Sequence, residues 1–70
     1  MKKFSVLIAH RHATSISLEE EFYQALVDIS KERNITLSAL ITEIDEQRTA
    51  PNLSSAIRIY ILKTLKQKLK

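Results

Sequence analysis

The first eighteen residues alternate between apolar and polar side chains with a period of two, and this pattern constrains the fold more than any other feature. Even positions from Phe4 to Leu18 are the more apolar set, whereas odd positions are mostly small, polar or basic. Such alternation predicts a β-strand with one buried face. Because a strand of this length is unusual, we expect a break or bulge between His10 and Ala13.

The chain contains no glycine and a single proline, Pro51. Since glycine adopts left-handed turn conformations most easily, we expect the connections to use Asn34, Pro51 and Asn52, and we do not expect a tight hairpin within one chain. An unpaired strand exposes main-chain amides and carbonyls along its edges. The sequence therefore predicts that the strand pairs antiparallel with its copy in a second chain, across a two-fold axis.

The first helix is signalled by Ser17 and Glu20, which have the spacing of a capping box, followed by further acids in the first turn. We expect this helix to run to about Arg33, with Asn34 as its left-handed stop. Its apolar stripe has helical spacing and consists of Phe22, Leu26 and Ile29, with Tyr23 and Val27 beside it.

Two further helices are expected after a short link. Thr36 is placed to cap the second, which should end before Pro51 because a residue preceding proline avoids helical geometry. Asn52 is placed to cap a third from Leu53 to about Lys66. The apolar stripe of the second helix is Leu37, Leu40, Ile41 and Ile44. That of the third is Leu53, Ile57, Tyr60, Ile61 and Leu65, widened by Ile59 and Leu62.

The fold class is therefore mainly α with one strand per chain: a single domain with a strand region (1–18), a helix pair (19–50) and a C-terminal helix (52–70). A domain of this size buries only about 60% of its unfolded surface, so a partner subunit would add stability. The width of the third apolar stripe indicates that a second subunit covers part of it. We expect a homodimer, with the third helix available for joining dimers into tetramers.

The charges are segregated along the chain. Residues 1–18 and 47–70 carry only basic charges, whereas residues 19–46 hold all eight acids against Lys31 and Arg33. Basic ends suit contact with an anionic polymer or a membrane surface, although a lysine-rich end also serves solubility. We expect Arg58 to pair with Glu43 or Asp45.

The absence of cysteine fits a reducing compartment, and the apolar run at residues 6–9 is too short for a signal peptide or a membrane span. We expect a cytoplasmic protein with no membrane partner. His10 and His12 are two apart, but four-ligand zinc sites need more donors than this segment offers, so we expect no metal. Nothing resembles a nucleophile–base pair or a phosphate-cradling loop, so we expect no enzymatic activity and no cofactor.

Three segments carry a family resemblance: Thr14–Glu20 (TSISLEE), the apolar stripe of the first helix, and residues 34–41 (NITLSALI). Together they resemble the ribbon-helix-helix superfamily of the MetJ, Arc and CopG repressors. A closer likeness is to a compact bacterial branch with a TSxSLE strand end and an NLSSAIR segment, here residues 52–58. The resemblance implies an intertwined homodimer whose intersubunit β-ribbon enters the major groove of double-stranded DNA.

The resemblance also implies a set of base-reading residues. Carried over by position, Thr14, Ile16 and Leu18 face the dimer core. The residues that face DNA are Arg11, Ala13, Ser15 and Ser17. Arg11 is the strongest candidate reader, because arginine binds guanine through two hydrogen bonds, whereas alanine departs from the long polar side chain of many members. Lys2, Lys3 and Ser5 are additional candidates if the earlier residues continue the ribbon.

A phosphate contact is implied at the start of the second helix, at Thr36, Leu37 and Ser38, where free amides and the helix dipole favour an anion. The Thr36 hydroxyl suits either capping or phosphate contact. The predicted function is a transcriptional repressor or autoregulator that binds DNA as a homodimer. The alternative is a protein-interaction module on the same fold, antitoxin-like or an adaptor, whose third helix docks a partner protein.

Overall fold

The computed structural model describes residues 1–8 and 12–69. Its elements follow the order strand, strand, helix, helix, helix: β1 Lys2–Ile8, β2 His12–Leu18, α1 Glu20–Glu32, α2 Leu37–Gln47 and α3 Leu53–Lys68. The predicted strand region thus holds two strands. His10 and Arg11, at the centre of the expected break, lie outside the described residues.

The two strands pair with each other in antiparallel register, from Lys2 opposite Leu18 to Ile8 opposite His12. The expectation that a chain without glycine avoids a tight hairpin is wrong, and the partner of β2 is a strand of its own chain. The physical reason is burial, because this register places the apolar even positions of both strands on one face. Ile16 and Leu18 are buried there, and Phe4 is half-buried beside them.

Helix α1 begins two residues later than the capping-box pattern predicts. Ser17 lies in β2, opposite Lys3, so it does not cap the helix. Glu19 is the N-terminal cap residue and makes no side-chain capping hydrogen bond. Ser17, which the capping-box pattern assigned to the helix start, belongs instead to the strand ladder, and Glu20 is the first residue of α1. The carboxylate of Glu19 instead binds Arg58 on α3.

The other helix boundaries follow local chemistry. Asn34 has a φ of 56°, which confirms the predicted left-handed stop after α1. The Thr36 hydroxyl accepts from the Ala39 amide at 3.0 Å, and the Asn52 side chain accepts from the Ser55 amide at 2.8 Å, so both predicted caps are confirmed.

One core joins the ribbon to all three helices. Its buried apolar residues are Ile16, Leu18, Leu26, Ile29, Leu40, Ile41, Ile44, Ala56, Ile57 and Ile61. Helix α2 packs on β1 and on α3, and α3 packs on β2 and both other helices. The three helices therefore form the support behind the buried face of the ribbon.

A polar clamp joins the three helices at the surface. The guanidinium of Arg33 binds both carboxylate oxygens of Glu43 and also donates to the Tyr60 hydroxyl at 3.2 Å. Since Glu43 binds Arg33 and Arg58 binds Glu19, the expectation that Arg58 pairs with Glu43 or Asp45 is wrong. Asp45 pairs with Arg48, three residues along the chain.

Candidate nucleic-acid interface

The odd positions of the two strands form one outward surface, which we call the ribbon face. It consists of three directly opposed pairs: Lys3 with Ser17, Ser5 with Ser15, and Leu7 with Ala13. Ser17 is half-buried and the other five residues are exposed. The face follows from the period of two, because every side chain at these positions points away from the helices.

The ribbon face gathers five of the ten residues proposed for DNA contact. Three of the four candidate readers, Ala13, Ser15 and Ser17, stand opposite β1 residues that include the additional candidates Lys3 and Ser5. Arg11 lies outside the described residues. Lys2 has even parity and is not on this face, since its ammonium lies 5.3 Å from the centroid of the Tyr23 ring.

Leu7 is a member of the ribbon face that the sequence interpretation missed. Its odd position was visible, but the sequence did not show that β1 would lie beside β2 within one chain. The side chain is 50% exposed and stands opposite Ala13. The outer end of the ribbon face is therefore apolar.

The start of α2 lies against the same ribbon. Ser38 donates its hydroxyl to the main-chain carbonyl of Leu7. The Thr36 hydroxyl accepts from the Ala39 amide, so in this structure it serves as a cap. The first amides of a helix have no acceptor within it, which leaves those of Leu37 and Ser38 for an anion beside the ribbon.

A family model described as a ribbon-helix-helix domain matches residues 1–65. The chain belongs to the ribbon-helix-helix family. Ribbon-helix-helix domains are typically DNA-binding transcription regulators and are usually not enzymes. A search of curated proteins found no match, and a search of solved structures found none either.

Glu19 is the acid that directly follows β2 in this ribbon-helix-helix domain. Its Oε1 accepts a hydrogen bond from Nε of Arg58 at 3.0 Å and lies 3.0 Å from Nη2 of the same guanidinium. A hydrogen bond from its own main-chain amide and another from Arg58 lower the pKa of Glu19. This negative charge is therefore directly opposed by a cation, which reduces its repulsion of an anionic ligand at the ribbon.

Helix α3 leaves a second apolar surface exposed in the single ribbon-helix-helix chain. Ile57 and Ile61 are buried as the stripe predicts, whereas Leu65 is 44% exposed in the single chain. Ile59 and Leu62 are 45% and 54% exposed. We call Ile59, Leu62 and Leu65 the α3 stripe.

Residues 1–8 and 12–69 hold neither a cluster of metal ligands nor a helix that could span a membrane. No group of three His, Cys, Asp or Glu side chains in that part of the chain could hold a metal ion. His12 is exposed opposite Ile8, and His10 lies outside the described residues. Among the helices described, none is both long enough and apolar enough to cross a bilayer.

Proposed function

We propose that this protein is a sequence-specific transcription regulator that inserts the ribbon face into the major groove of double-stranded DNA. The observation that carries the proposal is the ribbon face itself, six outward side chains on a two-stranded ribbon backed by a packed core. Membership of the ribbon-helix-helix family supports the same assignment. We further propose that the regulator is cytoplasmic.

The dimensions of the hairpin suit this role. A major groove about 12 Å wide admits a two-stranded β-ribbon, and adjacent strands lie about 4.8 Å apart. Because β1 and β2 pair within one chain, a single chain supplies a ribbon of the required width. β1 therefore contributes half of the reading surface.

The side chains of the ribbon face suit base edges. Ser5, Ser15 and Ser17 carry hydroxyls that donate to or accept from any base, and Lys3 donates to guanine acceptors. Arg11 remains proposed as a guanine reader. Lys2, held over Tyr23, is proposed to contact the DNA backbone rather than a base.

The start of α2 is proposed to hold a phosphate through the amides of Leu37 and Ser38, with Thr36 as their cap. Its position supports this, because the bond from Ser38 to the Leu7 carbonyl fixes the helix end beside the ribbon. A phosphate bound there would set the orientation of the ribbon in the groove without adding sequence preference.

We also propose that two copies bind an inverted repeat as a homodimer and act as a repressor or autoregulator. The sequence led us to expect an intersubunit ribbon, in which β2 of one chain pairs with β2 of another. Since the described β2 already pairs with β1, that arrangement would use the other edge of β2. The α3 stripe is the apolar surface that a second copy could cover instead.

The test is a binding measurement on the purified full chain with a pool of random duplexes, followed by selection of preferred sequences. We expect duplex binding at low salt, a steep loss of affinity as salt rises, and an inverted repeat among the selected sequences. Ser15→Asp should abolish binding by placing a carboxylate against the groove. Thr49→Asp, in the exposed link after α2, is the matched control and should change affinity little. Absence of duplex binding at low salt would overturn the proposal.

The α3 stripe favours a second candidate function, an antitoxin-like or adaptor module that docks a partner protein. Three exposed aliphatic side chains on one helix form a surface of the kind that protein partners cover. Affinity purification from the native cell should then return a specific protein that Leu62→Asp fails to retain. Recovery of the chain alone would count against this function.

A further inference from the structure

We infer that Leu7 and Ala13 together form a thymine-selecting position in the ribbon face. The inference rests on the proposed function, because it names part of the DNA sequence that the same face would read. It assigns a role to Leu7, which no comparison and no sequence pattern assigned.

The geometry singles out this pair. Leu7 and Ala13 are directly opposed on adjacent strands, so their side chains lie next to each other on the outward face. Half of the Leu7 side chain remains exposed, and the other two pairs of the face offer two hydroxyls or a hydroxyl and an ammonium. One end of the ribbon face is thus apolar and the rest is polar.

Base-edge chemistry matches an apolar end to thymine. Thymine is the only standard DNA base that presents a methyl group in the major groove, and apolar side chains contact it. The cytosine amino group at the same edge would face two side chains that cannot accept its hydrogen bond, and an unpaired buried donor costs free energy. The pair therefore favours thymine and disfavours cytosine.

The contact from Ser38 locates this position on the DNA. Since Ser38 holds the Leu7 carbonyl, the thymine-selecting end of the ribbon is the end next to α2 and its proposed phosphate. Lys3 precedes Leu7 by four residues in β1, so the two residues lie about 13 Å apart at ~3.3 Å per residue. At 3.4 Å per base step this is about four base pairs, so a guanine read by Lys3 is expected roughly four steps from the thymine.

The experiment uses the wild-type protein on its best selected duplex, with each thymine replaced in turn by deoxyuridine, which lacks only the methyl group. We expect that replacing one particular thymine in each half-site lowers the affinity of the protein for the duplex about fourfold, which is the effect of burying one methyl-sized group. In the Leu7→Ser variant that dependence should disappear. Leu69→Ser, at an exposed leucine that follows α3 and lies outside the α3 stripe, should keep it.

The outcomes separate the inference from the proposed function. If duplexes bind at low salt but deoxyuridine has no effect at any position, the thymine assignment is wrong and DNA binding stands. If the deoxyuridine effect persists in Leu7→Ser, the methyl group is read elsewhere and the assignment is again wrong. If no duplex binds, the proposed function and the inference both fall.

Discussion

The hydroxyl of Ser38, at the start of α2, donates to the main-chain carbonyl of Leu7 near the end of β1. The two residues are 31 positions apart, so this bond joins the helix pair to the ribbon rather than stabilising either one locally. It brings the proposed phosphate contact beside the ribbon face. The relative position of these two surfaces should therefore depend on Ser38.

Replacing Ser38 by alanine should destabilise the protein by about 1 kcal/mol, because the Leu7 carbonyl loses its side-chain partner. Urea unfolding followed by circular dichroism measures this change. Ser54→Ala is the matched control, since Ser54 is likewise the second residue of a helix and its side chain forms no hydrogen bond with residues 1–8 or 12–69. Equal effects of the two substitutions would show that the bond to Leu7 contributes nothing.

Cysteines at Ser5 and Ser15 should form a disulfide within one chain, because these residues are directly opposed in the hairpin. The natural chain has no cysteine, so these would be its only thiols. Oxidised protein should migrate as a monomer on a non-reducing gel and should be stabilised by about 2–4 kcal/mol.

Ser15→Cys alone is the control for that experiment. In an intersubunit ribbon, two copies of β2 would lie side by side, and the single variant would give an efficient disulfide-linked dimer. With β1 as the partner of β2, oxidation of Ser15→Cys should leave the chain largely monomeric on the gel. A predominant cross-linked dimer would contradict this expectation and would show that the other edge of β2 pairs with β2 of a second copy.

Ile57→Ala should destabilise the protein by about 2–5 kcal/mol, because the side chain is fully buried and the substitution leaves a cavity. Thermal unfolding measures the loss, which is large for a domain of this size. Ile59→Ala is the matched control on the same helix, where the side chain is 45% exposed. Its effect on the isolated chain should be much smaller. A similar loss in both variants that deepens with protein concentration would show that a second copy covers the α3 stripe.

Because of the ion pair between Arg33 and Glu43, the free energy of unfolding should decrease as the pH is lowered. The Arg33 guanidinium lowers the pKa of Glu43, so the pair stabilises the folded state above the ordinary glutamate pKa of about 4.3. That contribution is lost as the pH falls through the lowered value, when the folded carboxylate binds its proton. Glu43→Gln should therefore be less stable than the wild type at pH 7, and the two should converge as the pH falls through the lowered pKa of Glu43.

Urea unfolding at several pH values tests this expectation. Glu46→Gln is the control, because Glu46 is exposed near the end of the same helix and forms no ion pair within residues 1–8 and 12–69. Its stability should follow that of the wild type throughout. If the difference in free energy of unfolding between Glu43→Gln and the wild type stays constant from pH 7 until the acid end of the series, the charge of Glu43 is not what stabilises the fold.

Structural features that depend only on residues close together in the chain could be predicted from the sequence. The alternation of β1 and β2, the caps at Thr36 and Asn52, and the left-handed Asn34 are all of this kind. Each is confirmed because its chemistry is complete within one strand or one helical turn. The same local signals gave the family resemblance that the family comparison confirms.

Contacts between distant parts of the chain could not be predicted in the same way. The sequence interpretation assigned Ser17 to a helix cap, whereas the strand ladder uses it, and it gave Arg58 the wrong carboxylate. Arg58 and Glu19 are 39 residues apart, and many charged pairs are compatible with one pattern of helices. Only the packing of α3 across β2 and α1 selects this pair.

The sequence by itself determined which face of each element is apolar and where most helices begin and end, because side-chain spacing and capping are properties of short segments. Tertiary structure alone decided that β1 is the partner of β2, and hence that Leu7 stands beside Ala13 on the ribbon face. The physical reason is that a strand can satisfy its main-chain groups with any suitable edge. The choice among edges depends on how much apolar surface the whole chain buries.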